Sequence, residues 1–396
     1  MIGIVFFVSI KILAIDFDEN LSKTLLSEYT KCVSAMPYGK KILKEAQGLS
    51  KHIYLDYSDD GWLAWYEGGG KIFFNLKYLM IFFGIEDYDK EKVIKVIKNS
   101  PDVRKEFVRY TDFLFVHELV HLIQDSKYPY FSRYRYEFAE LEYEAFIKTD
   151  IYFYEKMKKN KTLFYKILAS KYYDIYSGYA MGGFISSFDF YDNYLESIKK
   201  RYLDEAEGYV SLTEEEQRKK IRLEERRLLS YAGADKSIYE RDKKDYDRMK
   251  KDMDVYMKNI SIELKKIWEK YTDEAFYFVL DMSYKAENQS VFWRAFYFLK
   301  NLKNKGYSNK KKERMIERFK NRIKGIELEK ITDDGVMSLV EEIYWFEKNF
   351  SSLADYDEIR HSIYPQIIAR AIKISDSYDK RYSDMIDFIS SAISIW

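Results

Sequence analysis

The chain has 396 residues, with 66 Lys+Arg against 65 Asp+Glu, and its net charge of +1 gives no overall pull toward nucleic acid or acidic lipid. A hydrophobic fraction of 47% is enough for a sizeable core and excludes wholesale disorder, while 4 Pro and 16 Gly exclude collagen-like or linker-rich architecture. The single Cys, Cys32, cannot form an internal disulfide or a thiolate zinc cage, and with 4 His any imidazole-based metal chemistry has few options.

Residues 2–15 form a weak apolar segment interrupted by Lys11. It reads equally as a buried first strand or as a weak or truncated signal peptide, so cytoplasmic and exported locations both stay open. No other segment approaches ~18 uninterrupted apolar residues, which predicts no integral membrane segment. Lys51–Tyr57 alternates and is rich in β-formers. Trp62–Glu67 and Lys71–Asn75, joined by Gly68-Gly69-Gly70, predict a hairpin. Helices are expected to start near Lys77 and to run over Glu86–Ile97.

Beyond residue 100 almost everything reads as helix. Pro101-Asp102 is a helix start, and apolar residues recur at helical spacing to about Ile123. A second long helix is expected over Tyr134–Lys158. Ser177–Phe184, with Gly178, Gly182 and Gly183, reads as a loop. Leu212-Thr213-Glu214-Glu215-Glu216 looks like an N-cap with an acidic first turn. Residues 213–272 alternate in charge sign, as the solvated face of long helices does, so no nucleic-acid partner is expected. The fold class is α+β and predominantly α. A small N-terminal sheet packs on a helix core within residues 1–185, and a large helical region occupies 186–396.

The sharp chemical signal is His117-Glu118-Leu119-Val120-His121. Side chains four apart on a helix lie one above the other, so the two imidazoles can share one Zn2+ ion. Glu118, beside the first His, can take a proton from the water that zinc activates and later pass it to a leaving amine. Phe113, Val116, Leu119, Val120 and Ile123 supply a core-facing side to the same helix. A third ligand is needed, and the nearest supply is Glu137, Glu140, Glu142 and Glu144. By spacing, Glu137, Glu140 and Glu144 share one face and Glu142 turns away.

His117-Glu118-x-x-His121 with a downstream Glu on a second helix resembles the gluzincin branch of zinc metallopeptidases, the thermolysin-like clan. Glu144-Ala145 is similar to the ligand-Ala pair of that family, and Gln124 fills the last place of a His-Glu-x-x-His-x-x-Gln motif. The resemblance covers about residues 60–155. It implies a zincin-like peptidase domain over 1–185, one zinc held by His117, His121 and Glu144, and Glu118 as general base. It also implies a peptide or protein substrate aligned along the edge of the Trp62–Asn75 hairpin. Glu140 stays open as an alternative ligand. One departure is Lys148, which stands where thermolysin-like members carry an Asp bonded to the first His. Asp150 and Asp112 are candidates for that supporting role, as is Glu144 should Glu140 ligate. Related enzymes take an electrophilic donor from a later segment, and Tyr179 is assigned that place, with His361 as the other candidate. His52, His361 and Arg133 read as structural or surface residues. Residues 186–396 are candidates to complete the cleft. The alternative function is a non-enzymatic helical interaction protein with a structural or vestigial zinc site.

Overall fold

The computed structural model describes residues 17–57, 63–79, 89–128, 140–163, most of 191–199, 236–284, 309–350 and 357–394. The fold is predominantly α-helical with a small three-stranded sheet, as the sequence predicts. It divides into two compact units. Of the described residues, the first unit holds those up to Lys159 and then Tyr191–Tyr271, and the second holds Asn160–Leu163 and Thr272 onward. Both units are discontinuous in sequence, and the described part of the charged stretch up to Tyr271 belongs with the first.

In the first unit, helices α1 (Glu19–Ser34) and α2 (Pro37–Glu45) precede the sheet. Asp18 caps α1 by accepting from the Leu21 amide, and Leu21, Leu25, Tyr29 and Val33 recur at four-residue spacing as its buried stripe. Strands β1 (His52–Asp56), β2 (Ala64–Tyr66) and β3 (Lys71–Asn75) follow. β3 is central, parallel to β1 and antiparallel to β2. Alternation splits its side chains between two faces. Ile72 and Phe74 point into the core, where Phe74 stacks on Tyr29 and Tyr29 on Phe115. On the other face Phe73 stacks between Tyr54 and Trp65, its cross-strand neighbours.

The β2–β3 turn needs backbone that side chains resist. Gly68, Gly69 and Gly70 all have positive φ, and a Cβ on Gly70 would meet the Ser50 carbonyl oxygen at 2.2 Å. Gly70→Ala is expected to destabilise the protein by more than about 1 kcal/mol, read as a lower midpoint in urea unfolding.

Helices α3 (Leu76–Leu79) and α4 (Lys90–Asn99, capped by Asp89) lead to α5 (Pro101–Lys127). Ser100 caps α5 and Pro101 opens it. Phe107, Phe115, Val116, Leu119, Val120 and Ile123 are all buried, which makes α5 the central helix of the unit. Helix α6 (Glu140–Lys159) lies antiparallel to it. Gln124 meets Leu141, His117 meets Phe146, and Asp112 meets Tyr152 and Lys156, so residue numbers rise on one helix as they fall on the other. Helix α7 (Lys236–Tyr284) brings Met253 and Tyr256 against Leu141.

The lone thiol sits in this packing. Cys32 donates to Asp112, which also accepts from Tyr152 and Lys156. Burial and the Asp112 charge push the thiol up to about 12. Almost no thiolate exists at pH 8, so Cys32 is expected to react slowly with an aromatic disulfide reagent until the chain is unfolded in denaturant. Labelling as fast in the folded as in the unfolded chain contradicts this placement.

In the second unit, α8 (Asn309–Lys324), α9 (Asp333–Phe350), α10 (Asp357–Ser362), α11 (Tyr364–Ile374) and α12 (Lys380–Ser394) follow in order. Phe319 of α8 stacks on Phe346 of α9, and Arg360 bonds both oxygens of Glu347 in a buried pair. No helix among the described residues is long and apolar enough to cross a membrane. Residues 2–15 and 212–216 lie outside the described residues.

Candidate metal centre

Helix α5 places His117 and His121 one turn apart, and their imidazoles turn toward each other with Nε2 atoms 3.2 Å apart. The Glu142 Oε2 atom of α6 lies 3.1 Å from His117 Nε2 and 3.4 Å from His121 Nε2. Three donor atoms thus form a closed triangle. Ligands held tetrahedrally at ~2.0–2.1 Å from one ion sit about 3.3 Å from one another, so the triangle has the dimensions of a metal's ligand face. The set is two imidazoles and a carboxylate, and it can hold a metal ion.

Electrostatics agree with the geometry. Burial alone would raise the Glu142 carboxyl, but the two imidazoles, when protonated in the metal-free group, outweigh it and hold it well below the usual carboxylate range. The carboxylate stays ionised, as a ligand must. The Phe146 ring packs edge-on against His117 at 4.8 Å, and Ala145 is fully buried.

Glu142 takes the place expected for Glu144. The rotation of α6 about its axis decides this. Glu142, Phe146, Phe153 and Lys156 form the row turned to α5, where Phe146 meets His117, Phe153 meets Phe113 and Lys156 meets Asp112. Glu144 lies two residues on from Glu142, about 200° around the helix. There its Oε1 accepts from Lys148 Nζ at 2.7 Å, and its Oε2 accepts from Gln124 Nε2 at 3.0 Å and from the Tyr256 hydroxyl. Lys148 also pairs with Glu45. Burial pulls the Lys148 ammonium down, but the two carboxylates overcome it and raise it above its ordinary range. The residue that departs from the family pattern is therefore an anchor for Glu144.

Glu118 is buried on α5, one position after His117, so it leaves the helix about 100° around from that ligand. Asp150 accepts from Tyr194, and Asp112 is occupied by Cys32, Tyr152 and Lys156. The side chain that does face an imidazole of the group is Gln124, whose Oε1 lies 2.9 Å from His121 Nδ1. Sequence reasoning missed this contact, although Gln124 stands three residues after His121, one turn further on the same face. His52 bonds Ser50 and meets the ring of Phe17 edge-on, and His361 is exposed on α10, so neither joins the group. Tyr179, Arg133 and Glu137, and the side chain of Glu140, lie outside the described residues.

The hairpin reaches the same region. The Tyr66 hydroxyl of β2 donates to Asp125 of α5 at 2.8 Å, fixing the strand to the turn after His121. Among the described residues β2 pairs with β3 and with no second strand.

Fold and site together define a predominantly α protein whose central helix carries a two-histidine, one-carboxylate group able to hold a metal ion. Comparison with protein-family models, curated proteins and solved structures finds no match to the chain.

Proposed function

We propose that the protein is a zinc-dependent peptidase. The triangle of His117 Nε2, His121 Nε2 and Glu142 Oε2, with edges of 3.1–3.4 Å, is the observation that carries this reading. Two imidazoles and one carboxylate are a donor set typical of catalytic zinc, which keeps a fourth position for water or substrate. A structural site would call for a fourth protein ligand. Among the described His, Cys, Asp and Glu side chains the group has three members, which favours the enzyme over an interaction protein with a closed site.

Zinc held there supplies Lewis acidity, bringing the pKa of a water toward ~7 and polarising a carbonyl. Glu142 balances one of the two positive charges, and both imidazoles bind as neutral ligands. Glu118 receives the proton of the attacking water on its carboxylate and delivers it to the nitrogen of the departing amine. Its buried position limits competing solvent around that transfer. An extended peptide is the substrate that suits the edge of β2 that pairs with no strand among the described residues, offering main-chain donors and acceptors at about 3.3–3.4 Å per residue. The Tyr66–Asp125 bond keeps that edge in register with α5.

The test is hydrolysis of a broad peptide library, followed by mass spectrometry. The zinc-loaded chain is expected to cleave, the chelator-stripped chain to stop, and restored zinc to recover cleavage. A chain loaded with one equivalent of zinc that cleaves no peptide fails the reading. Cleavage of small aryl amides alone would move it to non-peptide amide hydrolysis.

A further inference from the structure

We propose that Gln124 is a positioning residue of the metal centre, and that Glu144 and Tyr256 set its orientation. The inference rests on the reading of His121 as a metal ligand. The Gln124 nitrogen lies 3.0 Å from the Leu141 carbonyl oxygen, which only accepts. It also lies 3.0 Å from a Glu144 carboxylate oxygen and 3.1 Å from the Tyr256 hydroxyl. The amide therefore has one orientation, nitrogen toward α6 and α7 and oxygen toward His121.

That oxygen can only accept, so the atom facing it at 2.9 Å, His121 Nδ1, carries the proton. A neutral imidazole has one N–H. With it on Nδ1, the lone pair is on Nε2, the atom that faces His117 and Glu142. Gln124 thus selects the metal-binding tautomer before any metal arrives. Hydrogen bonds from outside the ligand set act this way by fixing ring orientation and raising ligand basicity.

The orientation of Gln124 depends in turn on Glu144, which is buried and holds three donors. They are Gln124, Lys148 and Tyr256. Tyr256 lies 132 positions from Gln124 in sequence and comes from α7. It is seated by Leu141, Met253 and the edge-on ring of Tyr128. A helix from beyond the expected peptidase boundary is consequently part of the support of the metal centre. The His-Glu-x-x-His motif and the helix after it do not complete that support alone.

The experiment uses the full chain, zinc-free, at about pH 8, where ordinary imidazole is neutral. First, nitrogen-15 NMR of the histidine rings reads the His121 tautomer in the native protein, so the central point needs no variant. The expected result is a protonated Nδ1 and an unprotonated Nε2. A native His121 protonated at Nε2 overturns the proposal. Second, zinc affinity is measured by chelator competition for native, Gln124→Leu and Tyr256→Phe. Gln124→Leu is expected to bind zinc ~10–100-fold more weakly and to show increased Nε2–H tautomer. Tyr256→Phe removes one hydroxyl and is expected to weaken binding less, with a tautomer shift in the same direction. Native affinity in a folded Gln124→Leu chain contradicts the proposal. If the native chain binds no zinc at all, the metal reading fails, while the tautomer measurement still decides the role of Gln124.

Discussion

Glu142→Ala is expected to lose stoichiometric zinc, whereas Glu144→Gln is expected to keep it. The two carboxylates are two residues apart and both buried, yet their surroundings assign them different tasks. Glu142 is the carboxylate that touches both imidazoles, and removing it leaves two neutral ligands to hold a dication. The loss should exceed the ~10–100-fold that removal of an outer hydrogen-bond partner costs. Glu144 touches no imidazole, and its oxygens are taken by Lys148, Gln124 and Tyr256. Gln is the appropriate replacement there. Truncation to Ala would strip the nearly buried Lys148 of one of its two carboxylates, and breaking a buried pair costs about 3–5 kcal/mol. Glu144→Gln should therefore lower stability and reduce affinity by no more than the outer-partner range. Elemental analysis after dialysis against a weak chelator reads the difference. Retained zinc in Glu142→Ala, or its loss in a folded Glu144→Gln chain, would reverse the assignment.

What the sequence could and could not reveal divides along physical lines. Local signals were legible. Ser100 and Pro101 start α5, apolar residues on most of its faces make it central, and three consecutive glycines make the β2–β3 turn. The four-residue spacing of the histidines set their mutual approach. Helices α1 and α2 escaped notice, although Asp18 and the stripe Leu21, Leu25, Tyr29 and Val33 mark α1. Which carboxylate joins the two histidines was not legible, because the rotation of α6 is set by Phe146, Phe153 and Lys156 meeting residues of another helix. Charge spacing within one helix contains no such information. Tyr256 was out of reach for the same reason, since its contact with Gln124 spans 132 positions among 38 tyrosines. The place of Glu142 beside the two imidazoles also narrows the family resemblance. It retains the His-Glu-x-x-His helix and a carboxylate on the next helix. With Glu142 as ligand, Tyr143 and Phe146 stand where the family pattern places Ala and Asp.

The second large effect concerns Glu118. Gln has nearly the same shape, so Glu118→Gln should fold, keep one zinc and leave the ligand triangle intact. It cannot accept the proton of the attacking water. Loss of a positioned general base costs ~10²–10⁴-fold, and here the same group also serves the leaving amine. The effect should fall on kcat, with KM little changed, because proton transfer belongs to the transition state. The account is therefore tested most directly by comparing peptide hydrolysis by native and Glu118→Gln chains, each shown to hold one equivalent of zinc. It predicts cleavage by the native chain and a loss of at least about 10²-fold in the variant. Equal cleavage by the two zinc-loaded chains, or none by either, would contradict it.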